Sequence, residues 1–176
     1  MRSYNRRAFL GNEKDVMGRR IQVGDIVEIP TNRGFAYAQF VLKKDRWGAL
    51  IRILPGLFDE RPDKLCDLAP KKETFVTFFP LQAAVNKNIF EVVDNCDIPQ
   101  QSSQFPLFRA AGHVDRQGKV HNWFLWDGER SWPVDRLTPE LTRLPMRSVW
   151  NDTLLIERIE QGWTPETDRR TLESMS

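Results

Sequence analysis

The sequence predicts an α+β fold made mainly of antiparallel β-meanders. These form an SH3-like unit or one strongly bent sheet, spread over two lobes, with helices near the C-terminus. Three observations predict it. Short apolar runs separated by tight-turn signals fill residues 24–54. The run TFVTFF at 74–79 is β-branched and aromatic and stops at Pro80, as buried strands do. Helix-capping signals gather after Thr138.

Each element follows from local chemistry. Residues 25–30 form a strand that ends at Pro30, and Asn32-Arg33-Gly34 supplies the turn, since glycine accepts a positive φ. Residues 35–43 return as a strand, and Asp45-Arg46 makes a second turn. In residues 47–54, Trp47, Ala49, Ile51 and Ile53 share one face, and Leu50, Arg52 and Leu54 the other. Pro55-Gly56 ends this meander, and the charged residues 56–73 read as a surface excursion. After the 74–79 strand come one or two helical turns at 81–86, a strand at 89–93, and a polar loop or hinge at 94–105.

The second half opens as another meander. Arg116-Gln117-Gly118 suits a three-residue hairpin loop, which sets Asp115 opposite Lys119 and His113 opposite His121. Asp127-Gly128 turns the chain into residues 129–134. Thr138-Pro139-Glu140 caps a short helix that stops before Pro145. A longer helix starts at Asn151 or Asp152, with Trp150 and Leu155 at hydrophobic-staple positions. Leu155, Ile156, Ile159 and Trp163 form its apolar stripe, and Gly162 closes it. Thr164-Pro165-Glu166 offers a further cap before a polar end. The organisation expected is a flexible basic arm at 1–20, a domain at 21–163 with sub-lobes at about 21–93 and 106–163, and a polar tail at 164–176 whose last ten or so residues are frayed.

Composition narrows the function classes. The net charge of +2, from 26 basic and 24 acidic residues, disfavours nucleic acid as a partner. No apolar run approaches the roughly 18 residues that span a bilayer, and the basic N-terminus lacks the apolar core of a secretory signal. The 2 cysteines, Cys66 and Cys96, are too few for a disulfide framework, so a reduced cytoplasmic protein is expected.

The residue patterns also argue against catalysis. There is no CxxC, HExxH or EF-hand loop, and no histidine stands near either cysteine, so no metal is expected. The His113–His121 pair would need a third ligand. Nucleophile elbows and phosphate loops are absent, with the 10 glycines scattered singly. The abundant acids single out no pair. No catalytic residue and no cofactor is expected. The 6 tryptophans say more. Trp123 and Leu125 share one strand face, and Phe124 and Trp126 the other. Either both faces are covered, or an aromatic is exposed as an interface anchor.

The order of the pieces carries a resemblance. GDIVEIP, GFAYAQFVL, TFVTFF, IFEVV, PLFRAAG and WFLWDG are closed by a Leu-rich helix introduced by Trp150-Asn151. Together, from about Ile21 to Trp163, this resembles the immunity protein 26 family of bacterial polymorphic-toxin systems. Matching positions are Gly24, Asp25, Ile29, Pro30, Gly34, Tyr37, Ala38, Trp126, Asp127 and Gly128. The first twenty residues and the 56–73 excursion fall outside it. The resemblance implies a non-catalytic α+β inhibitor that binds and blocks a cognate protein toxin. The residue types expected at such an interface are aromatic and arginine anchors. The candidates are Arg33, Tyr37, Arg46, Trp47, Arg52, Trp123 and Arg130, chosen for type and expected exposure. Two alternatives stand beside this reading. One is an RNA-cleaving toxin of a toxin–antitoxin module, whose small barrel also opens on Gly-Asp-Ile-Val. The other is an SH3-like module that binds nucleic acid or a peptide.

Overall fold

The computed structural model describes residues 19–175. The fold is α+β, with two antiparallel sheets. The first contains β1 (Asp25–Thr31), β2 (Gly34–Lys44), β3 (Gly48–Ile53), β4 (Phe75–Phe79) and β5 (Glu91–Asn95), in the order β4-β3-β2-β1-β5. The second contains β6 (Phe108–Ala111), β7 (Trp123–Trp126) and β8 (Ser131–Val134), in that order. Helices α1 (Leu81–Asn86) and α2 (Gln100–Ser103) lie between the strands. Helices α3 (Pro139–Thr142), α4 (Asp152–Glu160) and α5 (Arg169–Met175) follow them.

The β1–β2 turn shows why its residues are needed. The Thr31 hydroxyl donates to the Gly34 carbonyl at 2.7 Å and accepts from Arg33 N–H at 3.1 Å. Gly34 has φ +108°, and a Cβ there would collide with the Phe58 carbonyl. That approach is tight because Phe35 and Phe58 exchange two backbone hydrogen bonds, at 2.7 and 3.0 Å. The excursion after β3 is thereby sewn to the start of β2.

Alternation along β3 assigns the faces. Ala49, Ile51 and Ile53 join the main core with Val27, Ile29, Phe75 and Phe79. Leu50 faces away and meets Phe78, Phe108 and Trp126, which joins the two sheets. Trp47 departs from the expected face and packs with Leu50 and Trp126, because it precedes Gly48 (φ +89°), where the strand starts. Both faces of β7 are covered: Trp126 in this junction, and Trp123 against Val120 and Leu137.

The C-terminal helices differ from expectation in where they pack. The Asn151 side chain caps α4 by accepting from Leu154 N–H at 2.8 Å. Leu155, Ile159, Trp150 and Trp163 then enter the core of the five-stranded sheet, so α4 serves the first lobe although it follows the second in sequence. Truncating the fully buried Leu155 to Ala would cost about 2–5 kcal/mol. The tail is also not frayed. Thr164 and Thr167 form a reciprocal capping box, and Pro165, Asp168 and Thr171 are buried. Of the basic arm at 1–20, only Arg19 and Arg20 are described, and both are exposed.

The expectation of two free thiols is overturned. Cys66 and Cys96 form a disulfide with Cα atoms 5.5 Å apart. Thirty residues separate them in sequence. The fold nevertheless returns the end of β5 beside the single helical turn at Leu65–Leu68, a proximity that spacing does not reveal. The bond ties the 56–73 excursion to the edge of the sheet. Among the described residues no helix is long and apolar enough to cross a membrane.

Candidate functional site

The residues proposed as anchors divide sharply. Tyr37, Arg52 and Trp123 are buried, which corrects the exposure expected of them. Tyr37 lies on the covered face of β2, and its hydroxyl donates to Glu28 Oε2 at 2.9 Å. Burial and that carboxylate push the Tyr37 phenol well above its usual range. Glu28 is held below the ordinary carboxylate range by the Arg61 guanidinium, which donates two bonds at 2.8 and 2.9 Å and outweighs the effect of burial. Arg61 also reaches Glu91 at 3.0 Å. This network pins the excursion across β1 and β5.

Arg52 is a structural cation. Its Nε donates to Gln39 Oε1 at 2.9 Å, and its Nη1 to Ser102 Oγ at 3.0 Å and Glu73 Oε2 at 3.3 Å. Its Nη2 donates to the Ala69 carbonyl. Every nitrogen has a partner, as burial requires.

Arg33 is exposed but engaged. Its guanidinium donates to the Glu160 carbonyl, and the neighbouring Asn32 N–H to Glu160 Oε1. A cation at the C-terminal end of α4 is favourable for the helix dipole. Arg46 is exposed in the β2–β3 turn, with φ +67°. Trp47 is half-buried, 5.5 Å from the Phe78 ring and 5.2 Å from that of Trp126. The structure therefore does not gather the candidate residues on one surface.

Two surfaces could do chemistry or docking. The first is the open edge of the small sheet. On its far side, β6 is covered by residues 145–147, since Arg109 N–H donates to the Pro145 carbonyl at 2.9 Å and Arg147 N–H to the Arg109 carbonyl at 2.7 Å. On the near side β8 pairs only with β7 among the described residues. Trp132 stands on β8 with 38% of its surface exposed, flanked by exposed Arg130 and Arg136. The Arg130 guanidinium lies 3.6 Å from Asp127, whose carboxylate accepts from the Arg130 and Glu129 N–H groups and is thereby held below its usual range. Pro133 withholds a donor from the edge, which discourages strand addition.

The second surface is a cleft of about 560 Å³ where the 145–150 segment meets α4, α5 and β6. Its walls carry Arg109, Arg147, Arg158, Arg169 and Arg170 against a single acid, Asp168, with Trp47, Met146, Trp150 and Leu154 as apolar surface. Arg109 is fully buried, and its Nη1 has no hydrogen-bond partner among the described residues.

The expected histidine pair is formed, with rings 5.5 Å apart. His121 Nε2 lies 2.8 Å from Asp115, whose carboxyl is held low mainly by that contact. The described residues contain one group with metal-ligand spacing, Cys66, Asp94 and Cys96, but the disulfide occupies both of its sulfurs.

The positions that carry the family resemblance serve the scaffold. Asp25, Ile29, Tyr37, Ala38 and Trp126 are buried. The Gly128 Cα packs so close to Phe105 that a Cβ would stand 2.8 Å from the ring. Comparison with protein-family models, curated proteins and solved structures gave no match. Sequence reasoning missed Trp132, although Pro133 beside it is an edge-strand signal. It also missed Arg109 and Arg147, for which no local signal exists.

Proposed function

We propose that the protein is a non-catalytic inhibitor that binds and blocks a cognate bacterial toxin, in the manner of an immunity protein. The observation that carries this reading is Trp132, part-exposed on strand β8, which pairs only with β7 among the described residues, between Arg130 and Arg136. Tryptophan and arginine are the residue types that dominate interface energies when a partner desolvates them. The order of sequence motifs supplies the toxin as the partner. The inhibition is by occlusion: roughly 800 Å² of surface on each partner is enough to cover an active site.

The test uses a toxin encoded beside this protein. Co-expression of the two restores growth, and the purified pair forms a stoichiometric complex. Trp132→Ala weakens that complex about tenfold or more and loses protection, with the unfolding midpoint unchanged. Degradation of RNA by the purified protein alone would overturn this reading in favour of the RNA-cleaving toxin.

A further inference from the structure

The Cys66–Cys96 bridge lies beside a third group of ligand type. Asp94 Oδ2 stands 3.7 Å from Cys66 Sγ, and the two sulfurs and the carboxylate all lie within 4.8 Å of one another. The other Asp94 oxygen accepts from Asn95 N–H at 2.8 Å, which orients the carboxylate. Among the described residues Asp94 forms no ion pair. Cys66 is exposed, Asp94 half-buried and Cys96 buried. Both cysteines line an open hollow of about 530 Å³, with Ala69, Pro70, Ile98 and Pro99 as its apolar walls.

The backbone at each cysteine is also held without the bond. Cys66 sits in the helical turn at Leu65–Leu68, anchored by buried Leu65 and Leu68, and its carbonyl accepts from Ala69 N–H at 3.2 Å. Cys96 N–H donates to the Gly24 carbonyl at 3.0 Å, and its carbonyl accepts from Gln39 Nε2 at 2.7 Å. The excursion is pinned besides by Arg61 on Glu28 and by Arg52 on the Ala69 carbonyl and Glu73. Opening the bond therefore leaves two thiols and a carboxylate close together. As thiolates they put three negative charges side by side, which a divalent cation neutralises. The ligand atoms of tetrahedral zinc, with bonds of about 2.0–2.3 Å, stand about 3.5 Å apart. With Cα atoms 5.5 Å apart, rotation of the two cysteine side chains is enough to reach that spacing.

We propose that Cys66, Cys96 and Asp94 form a redox-gated site for a thiophilic divalent cation, zinc above all, which replaces the disulfide when a dithiol reduces it. The dithiol attacks as a thiolate at the exposed Cys66 Sγ, and the S–S electron pair leaves on Cys96 Sγ. The second thiol of the reductant resolves the mixed disulfide, so the reductant ends as a disulfide and the chain as two thiols. The cation then binds both sulfurs and the Asp94 carboxylate and releases the two thiol protons to solvent. Two thiolates make the donor set soft, which selects zinc over magnesium or calcium. A water in the hollow completes the tetrahedron. Bond and ion do the same mechanical work, tying the 56–73 excursion to the end of β5 in oxidising and in reducing surroundings. The site is independent of the β8 edge.

Cobalt(II) titration of the full chain tests this, without oxygen, after reduction by dithiothreitol and removal of the reductant. The chain has only 2 cysteines, so a thiolate-to-cobalt charge-transfer band reports on this pair alone. The band is expected to saturate at one ion per chain, to carry the visible spectrum of tetrahedral cobalt, and to vanish when zinc is added. The oxidised chain shows no band, and Cys66→Ser loses it. Asp94→Asn, which keeps the shape of the side chain, weakens cobalt binding about tenfold or more. Near-ultraviolet circular dichroism follows the fold throughout. If reduction alone loosens the chain, the ion restores the signal of the oxidised form. Absence of the band in the reduced chain overturns the proposal. So does a band without the folded signal, one ion shared by two chains, or affinity unchanged in Asp94→Asn.

Discussion

Arg52 and Arg109 are both fully buried, one in each sheet, and they are solved in opposite ways. Arg52 has a carboxylate, an amide, a hydroxyl and a carbonyl around it, with a partner for each nitrogen. Arg109 has two carbonyls, an indole face and, among the described residues, one idle donor. The first is a cross-brace, because its charge is neutralised by Glu73 from the same lobe. The second is a reserve of positive charge, because the acids near it do not bond to it. The difference teaches that burial alone does not make an arginine structural. What matters is whether its donors are spent.

The largest expected effect comes from breaking the spent arginine. Arg52→Met removes the donor of Gln39 and the Ala69 carbonyl and leaves Glu73 with only the Ser102 hydroxyl, and costs about 3–5 kcal/mol, read by urea unfolding. Next is the disulfide on which that shell rests, since Gln39 also donates to the Cys96 carbonyl at 2.7 Å. Removing the bond with paired Cys66→Ser and Cys96→Ser changes costs about 3–4 kcal/mol in loop entropy, read in the same denaturant series. Thiol trapping in intact cells then reports whether the bond is formed where the protein works.

Arg109→Met is expected to cost less than Arg52→Met, about 1–2 kcal/mol, because a well-packed apolar chain replaces a cation with no bonded counter-charge. Equal losses at the two positions would erase the contrast. The smallest effect is on pH dependence. Glu28 has a lowered folded pKa. Its contribution is therefore complete above the ordinary carboxylate value of about 4.3 and lost as pH falls through the lowered one. Glu28→Gln should flatten stability on the acid side. The raised Tyr37 phenol acts at the other end. Its contribution is complete below the ordinary value of about 10 and is lost as pH rises beyond it, so Tyr37→Phe should flatten the alkaline side.

Much of the backbone was legible because its signals are local. The caps at Thr138, Asn151 and Thr164 formed, and Asp115–Lys119 and His113–His121 stand in the register that Gly118 implies. Side-chain roles were far less legible. Tyr37, Arg52 and Trp123 have the residue types of interface anchors, yet the fold buries them. Type does not reveal which strand face is covered once both sheets have covered faces.

By itself, then, the sequence determined strands, turns, caps and the α+β class, since those depend on φ preference, alternation and hydrogen bonds within a few residues. The tertiary structure alone decided that Cys66 meets Cys96 and that α4 completes the first sheet. It alone put Trp132 on the edge strand β8, and it buried Arg109 beneath Trp123 while laying Arg147 over Trp47 and Trp126. Each of these joins residues far apart in the chain, and long-range contact is set by how the packed faces close on one another rather than by any local pattern.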